Sequence, residues 1–331
     1  MRIGIAGCGR IAERGYVPAA LGLEGITIAG LADPDEERRQ RCRELCERDG
    51  DTNVAPFTSA GELLQSEPID LLVVAAPVAH HVTLAEEAAA AGVRSLVEKP
   101  PAPDLEGARR LAALDPQPLL AFNRRFLQGE ELRGAVPPEG WVELDLELRF
   151  RRDAWGAHEA RDEALLDAGI HLIDLACFLT DSAPIAVRKA EIERENAGLE
   201  LELTRGRARI TCATDRSHRE EVSVRNRSGK LLAHSRWGGI RSRLHGLLGK
   251  PDPLALSLQR QLEALHTTTP ELHQLDCPAD SQVDAVRGSR GGGGIATAVD
   301  GVTAMAVVDA ARRSAALGGA EVTVAPVEAG A

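Results

Sequence analysis

No stretch of this 331-residue chain is apolar for long enough to span a bilayer, and no basic segment followed by an apolar run opens it. A cytoplasmic location is therefore expected, with no membrane partner. Polybasic tracts and aromatic residues spaced for base stacking are missing too. With 39 basic against 50 acidic residues the net charge is -11, which argues against a broad nucleic-acid or anionic-membrane surface. The six cysteines (Cys8, Cys42, Cys46, Cys177, Cys212 and Cys277) are scattered, and only Cys42 and Cys46 have a suggestive spacing. Without a nearby histidine or second cysteine pair, they read as reduced surface or half-buried thiols, and no metal site is expected. Neither a serine nucleophile elbow nor a Walker loop occurs.

What remains is an ordinary globular composition, 44% hydrophobic, in a chain long enough for two cores. The first part alternates strand and helix. Apolar strands are expected at 2–6, 26–32, 69–75, 94–97 and 119–122, with helices at 35–48 and 80–91 between them, which indicates a parallel sheet with crossovers. Gly7-Cys8-Gly9-Arg10-Ile11-Ala12 follows the first strand and opens a helix. Gly7 allows the tight turn, Gly9 lets the backbone approach a pyrophosphate, and Ala12 is small where helix meets strand. Asp33 ends the second strand, where a carboxylate accepts from an adenosine ribose and repels a 2′-phosphate; NAD is preferred over NADP on this reading. Asp33 followed by Pro34 also reads as a helix N-cap. Arg38 and Arg39, a turn further on, could soften the NAD preference.

Lysine is scarce. Lys99, Lys189, Lys230 and Lys250 stand against a large excess of arginine, and Lys99 closes a buried strand in Glu98-Lys99-Pro100. Carboxyl ends of parallel strands are where ligands bind in open α/β sheets. A second polar set, Asp167, His171 and Asp174, interrupts an otherwise apolar segment at helical steps of four and three. Buried carboxylates and imidazoles are costly unless paired or used, and a histidine beside carboxylates is a tunable proton carrier. A hydrogen-bonded core cluster accounts for the same pattern.

Glu98-Lys99-Pro100 closely resembles a signature of the glucose-fructose oxidoreductase / inositol dehydrogenase / rhizopine-catabolism (Gfo/Idh/MocA) family. Ala76-Pro77 with His81 looks like that family's Pro-x-x-x-His segment beside the nicotinamide, and residues 167–174 like its Asp-x-Gly-x-His-x-x-Asp helix. Residues 296–301 look like the start of its last long helix, 302–317. The resemblance implies that Lys99 and His171 face the substrate carbon and that Asp167 completes the catalytic set, with His171 as proton acceptor, Lys99 stabilising the alkoxide and Asp167 orienting the imidazole. The substrate implied is a carbohydrate-like small molecule: a secondary alcohol, or the matching ketone, of a sugar, cyclitol or sugar nucleotide. Residues 161–165 depart from the family, which commonly has a glycine pair or triplet before the histidine helix.

From Trp141 onward Val142, Leu144, Leu146, Leu148 and Phe150 alternate with charged residues, as in a half-buried antiparallel strand. Further strands are expected at 185–195, 199–204, 208–213, 220–226 and 231–235, with turns at 196–198, 205–206 and 228–229, then a helix at 254–266. The glycine-rich residues 288–294 read as a loop. The fold expected is thus α/β: a Rossmann domain over 1–122, then an α+β substrate domain over 123–331 with an open, mostly antiparallel sheet. Homo-oligomerisation through that sheet, as dimer or tetramer, is expected as in the resembled family. Asn123, Arg124 and Arg125 follow the last strand of the first domain and are candidate substrate ligands, since guanidinium groups match carboxylate or phosphate; a salt-bridge role is the alternative. The rival functions are a non-catalytic cofactor-binding sensor of the same fold and an imine or tetrapyrrole reductase.

Overall fold

The computed structural model describes residues 1–50, 53–152, 163–238, 253–273 and 294–327. Contacts divide the chain into two units, Met1–Phe126 with Asp252–Gly301, and Leu127–Pro251 with Val302–Val327, each carrying a seven-stranded sheet with six strands from its first segment and one from its second.

In the first unit β1 (Arg2–Ala6), β2 (Thr27–Ala32), β3 (Ala55–Phe57), β4 (Leu71–Val74), β5 (Arg94–Val97) and β6 (Leu119–Leu120) run parallel, in the order β6-β5-β4-β1-β2-β3. β4 is wholly buried, as expected of a strand covered on both faces. Short β3 and the helices Ala60–Ser66 and Leu105–Ala112 complete the crossovers, although their apolar runs are too brief to stand out in the sequence. The helix that crosses from β2 to β3 is Glu36–Arg48, capped by Asp35, whose Oδ1 accepts from the Arg38 N–H at 3.1 Å. Asp33 is therefore not the N-cap; its carboxylate is used elsewhere. Cys42 and Cys46 are fully buried on this helix rather than at the surface.

One grouping departs from a single boundary after residue 122. The helix Pro253–His273, longer than the expected 254–266, places Leu258, Leu262 and Leu265 in the same buried cluster as Ile3, Ile5 and Tyr16. Its Gln261 donates to the Leu120 carbonyl at 2.9 Å. A short strand, β13 (Ala296–Thr297), then pairs antiparallel with β6 at the sheet edge. The expected last helix starts earlier than position 302, at Ala298–Ala316, with the Thr297 N–H donating to Asp300 Oδ2 at 2.8 Å.

The second unit holds β7 (Val142–Arg151), β8 (Pro184–Ile192), β9 (Asn196–Leu203), β10 (Gly206–Ala213), β11 (Asp215–Asn226), β12 (Leu231–Gly238) and β14 (Val322–Thr323), ordered β12-β11-β7-β10-β9-β8-β14. The alternation from Val142 to Leu148 buries one face as expected, and Phe150 is only half-buried. β7 is antiparallel to β11 but parallel to β10, so the sheet is mixed at its centre. The helical segment after β7 carries the chain over before the β8–β9–β10 meander begins, which permits the parallel pairing. Asn196, Ala197 and Gly198, expected as a turn, lie in β9. The opposite face is a lattice of charge pairs, among them Arg207–Glu143 at 2.8 Å, Arg225–Asp145 at 2.9 Å and Arg219–Glu147 at 3.0 Å.

Candidate active site

The glycine loop leaves β1 through Gly7, whose φ of 98° is left-handed and whose missing Cβ would lie 2.6 Å from the Ala75 carbonyl and Ala76 nitrogen. Only glycine fits. A Cβ on Gly9 would meet nothing within 4 Å, so that side of the loop is open to a ligand. Asp33 is buried at the end of β2; its Oδ2 accepts from the Cys8 N–H at 2.8 Å and its Oδ1 from the Asp35 N–H at 2.9 Å. Each oxygen has a further lone pair, so the carboxylate can fasten the loop and still accept from a ribose. Arg38 pairs with Asp35 at 3.4 Å, and Arg39 donates to the Asp33 carbonyl. The open loop and the carboxylate at the end of β2 fit a dinucleotide.

Arg10, Ile11 and Ala12 lead into a π-helical stretch, Ala12–Tyr16, and then an α-helix from Val17. Tyr16 is fully buried, and its hydroxyl donates to Glu98 Oε1 at 2.9 Å. The Lys99 N–H donates to Glu98 Oε2 at 3.0 Å. Burial pushes the Glu98 carboxyl up, opposed by the Lys99 ammonium and the Tyr16 hydroxyl; burial also pushes the Tyr16 phenol well above its ordinary value. Lys99 itself is half-buried at the carboxyl end of β5.

His81 opens the next helix, whereas His80 is exposed in the turn before it. The His81 ring is only 1% exposed, with Nδ1 2.8 Å from the Pro100 carbonyl and Nε2 2.8 Å from that of Ala76. It braces the Ala76-Pro77 turn against the Lys99-Pro100 turn. Burial holds its pKa below the ordinary histidine value, outweighing the carbonyls that favour the charged ring. Asn123 is buried just beyond β6, and Arg124 is half-buried. Arg125 is directed at Asp300 (3.6 Å) and the Gly294 carbonyl (3.5 Å), within the first unit.

In the second unit, Leu165–Gly169 is again π-helical and continues into the α-helix Ile170–Thr180. A π stretch turns less per residue than an α-helix, so the angle about the axis between Asp167 and His171 is not that of a 3.6-residue period. Asp167 is half-buried, while His171 and Asp174 are buried. Gly169 belongs here because a Cβ would crowd Cys212 Sγ on β10 at 3.2 Å and Leu165 Cδ1 at 2.7 Å. Asp167 Oδ2 accepts from Arg152 Nε at 3.1 Å and forms an ion pair with the same guanidinium, 3.0 Å from Nη2. Sequence reasoning missed Arg152, which has no motif to mark it, and Tyr16, which could have been noticed as the chain's single tyrosine.

The three π-helical stretches named among the described residues, Ala12–Tyr16, Arg125–Gly129 and Leu165–Gly169, all fall on or beside sequence motifs. Such stretches frequently mark functional sites. Among the described residues, no group of three His, Cys, Asp or Glu side chains could hold a metal ion, and no helix is long and apolar enough to cross a membrane. Residues 153–162, with part of the departure noted at 161–165, and most of the glycine-rich loop lie outside the described residues.

Sheet order, loop and terminal carboxylate define an NAD-binding Rossmann domain. Residues 1–117 match the family model described as oxidoreductase family, NAD-binding Rossmann fold. In this domain the chain is similar to the Gfo/Idh/MocA oxidoreductases. It is 28% identical to "Putative oxidoreductase YceM" of Salmonella typhimurium, over 88% of this chain and 93% of that protein. A D-apiose dehydrogenase of Paraburkholderia graminis is also 28% identical, over 59% of this chain and 54% of its own. The fold is that of a myo-inositol dehydrogenase from Lactobacillus casei, solved in complex with NAD(H) and myo-inositol: the TM-score is 0.74 at 16% identity, over 98% of this chain and 97% of that one.

Proposed function

We propose that the protein is an NAD-dependent dehydrogenase acting on a secondary alcohol of a sugar, cyclitol or sugar nucleotide, or reducing the matching ketone. The observation that carries this reading is a scarce lysine, Lys99, at the carboxyl end of a strand in a sheet whose first loop fits a dinucleotide. The similarity to dehydrogenases of apiose and inositol supports a polyhydroxylated substrate. NAD, when bound, accepts or supplies the hydride. His171 takes up the hydroxyl proton, and Lys99 stabilises the oxygen as negative charge develops on it. Asp167, held by Arg152, contributes fixed negative charge near the histidine helix and orients the imidazole. Arg125 is directed at Asp300, as in the salt-bridge alternative, and Arg124 is the candidate for an anionic group of the substrate.

A cofactor-coupled screen in both redox directions, across neutral sugars, cyclitols, uronates and nucleotide sugars, tests the assignment. On the substrate so found, Lys99→Ala and His171→Ala should each lower kcat by roughly 10²–10⁴. Near-normal turnover by both variants would remove these groups from the mechanism. A protein that binds NADH but turns over none of these classes would be a sensor of the same fold.

A further inference from the structure

We propose that Tyr16 is a positioning residue for Lys99: acting through Glu98, it ties the nucleotide loop to the turn that carries the ammonium. Tyr16 ends the π-helical stretch that follows the glycine loop, and Glu98 directly precedes Lys99. The carboxylate between them is gripped from both sides, by the Tyr16 hydroxyl at 2.9 Å on Oε1 and by the Lys99 N–H at 3.0 Å on Oε2. Tyr16 is fully buried and Glu98 is 7% exposed. A phenol and a carboxyl in an apolar site are each costly without a partner, so a side chain that merely filled space here would be phenylalanine. The groups that bear on the Glu98 charge are the Tyr16 hydroxyl and the Lys99 ammonium and N–H. A stronger phenol hydrogen bond therefore holds the carboxylate, and with it the backbone turn that carries Lys99, more firmly. A weaker one loosens the turn and leaves the Lys99 side chain more accessible.

The catalytic consequence rests on the reading of Lys99 as a working group of a dehydrogenase. The test needs no substrate, so the two ideas fail separately. The full-length protein is acylated with acetic anhydride at neutral pH, and peptide mass spectrometry measures Lys99 labelling against the exposed Lys230 as internal standard. Tyr16→Phe should raise the Lys99-to-Lys230 ratio several-fold. Because the chain has one tyrosine, growth on 3-fluorotyrosine alters this position alone. It keeps ring and hydroxyl while making the phenol a stronger donor, and should lower the ratio. Tyr16→Phe combined with Glu98→Gln should label no faster than Glu98→Gln alone, because both act through one carboxylate. An unchanged ratio in Tyr16→Phe, a change of the same sign with fluorotyrosine, or multiplying effects in the double variant would overturn the proposal. If Tyr16→Phe does not fold, the fluorotyrosine protein decides: an unchanged or raised ratio counts against the proposal.

Discussion

At the scale of single residues, His81 shows how a buried imidazole ties stability to acidity. Its folded pKa lies below the ordinary histidine value of 6.5, so the unfolded chain binds the proton more tightly than the fold does. The contribution is therefore complete above about 6.5 and is lost as pH falls from there toward the lower folded value. Urea melts of the parent and of His81→Gln across that window should differ, with the variant showing the shallower acid-side loss. Parallel profiles would mean that His81 does not titrate between the two states. The sequence marked His81 by its place after the Ala76-Pro77 turn, but not its task. Bracing two turns through carbonyl oxygens is a property of the folded backbone that residue type cannot announce. Asp33 was legible for the same reason that its double use was not. A carboxylate at a strand end is a pattern, whereas its bonds to the Cys8 and Asp35 N–H groups depend on how the loop curls back.

Elements were read from period and punctuation, and they went astray where either changed. The histidine helix is recognisable by its spacing, but nothing in that spacing announces the π-helical turn at Leu165–Gly169. Strands β1, β4 and β5 were clear as apolar runs, while β3 and β13, of three and two residues, are held by neighbours rather than by local preference. The glycine loop permits a sharper experiment because its two glycines serve different ends. Gly7→Ala forces a Cβ against backbone at a positive φ and should destabilise the domain as well as abolish NADH binding. Gly9→Ala meets open space and should leave the melting temperature unchanged while weakening NADH binding, measured by fluorescence titration. Undiminished NADH affinity in Gly9→Ala would place the pyrophosphate elsewhere.

For the whole molecule, the unexpected result is that the first unit is not one continuous segment. Leu258, Leu262 and Leu265 join its core from far along the chain, and each such burial contributes about 1.5–3 kcal/mol. A fragment of residues 1–126 should therefore melt non-cooperatively or bind a dye for exposed apolar surface, and Leu262→Ala in the full chain should cost about 2–5 kcal/mol. A fragment with the full chain's cooperative melt and NADH affinity would show the helix to be dispensable. The same arrangement bears on how the protein is made. The edge strand β13 and the helix Pro253–His273 emerge from the ribosome long after β1 to β6, so during synthesis the nucleotide-binding half waits, its apolar side uncovered, until most of the chain has been translated.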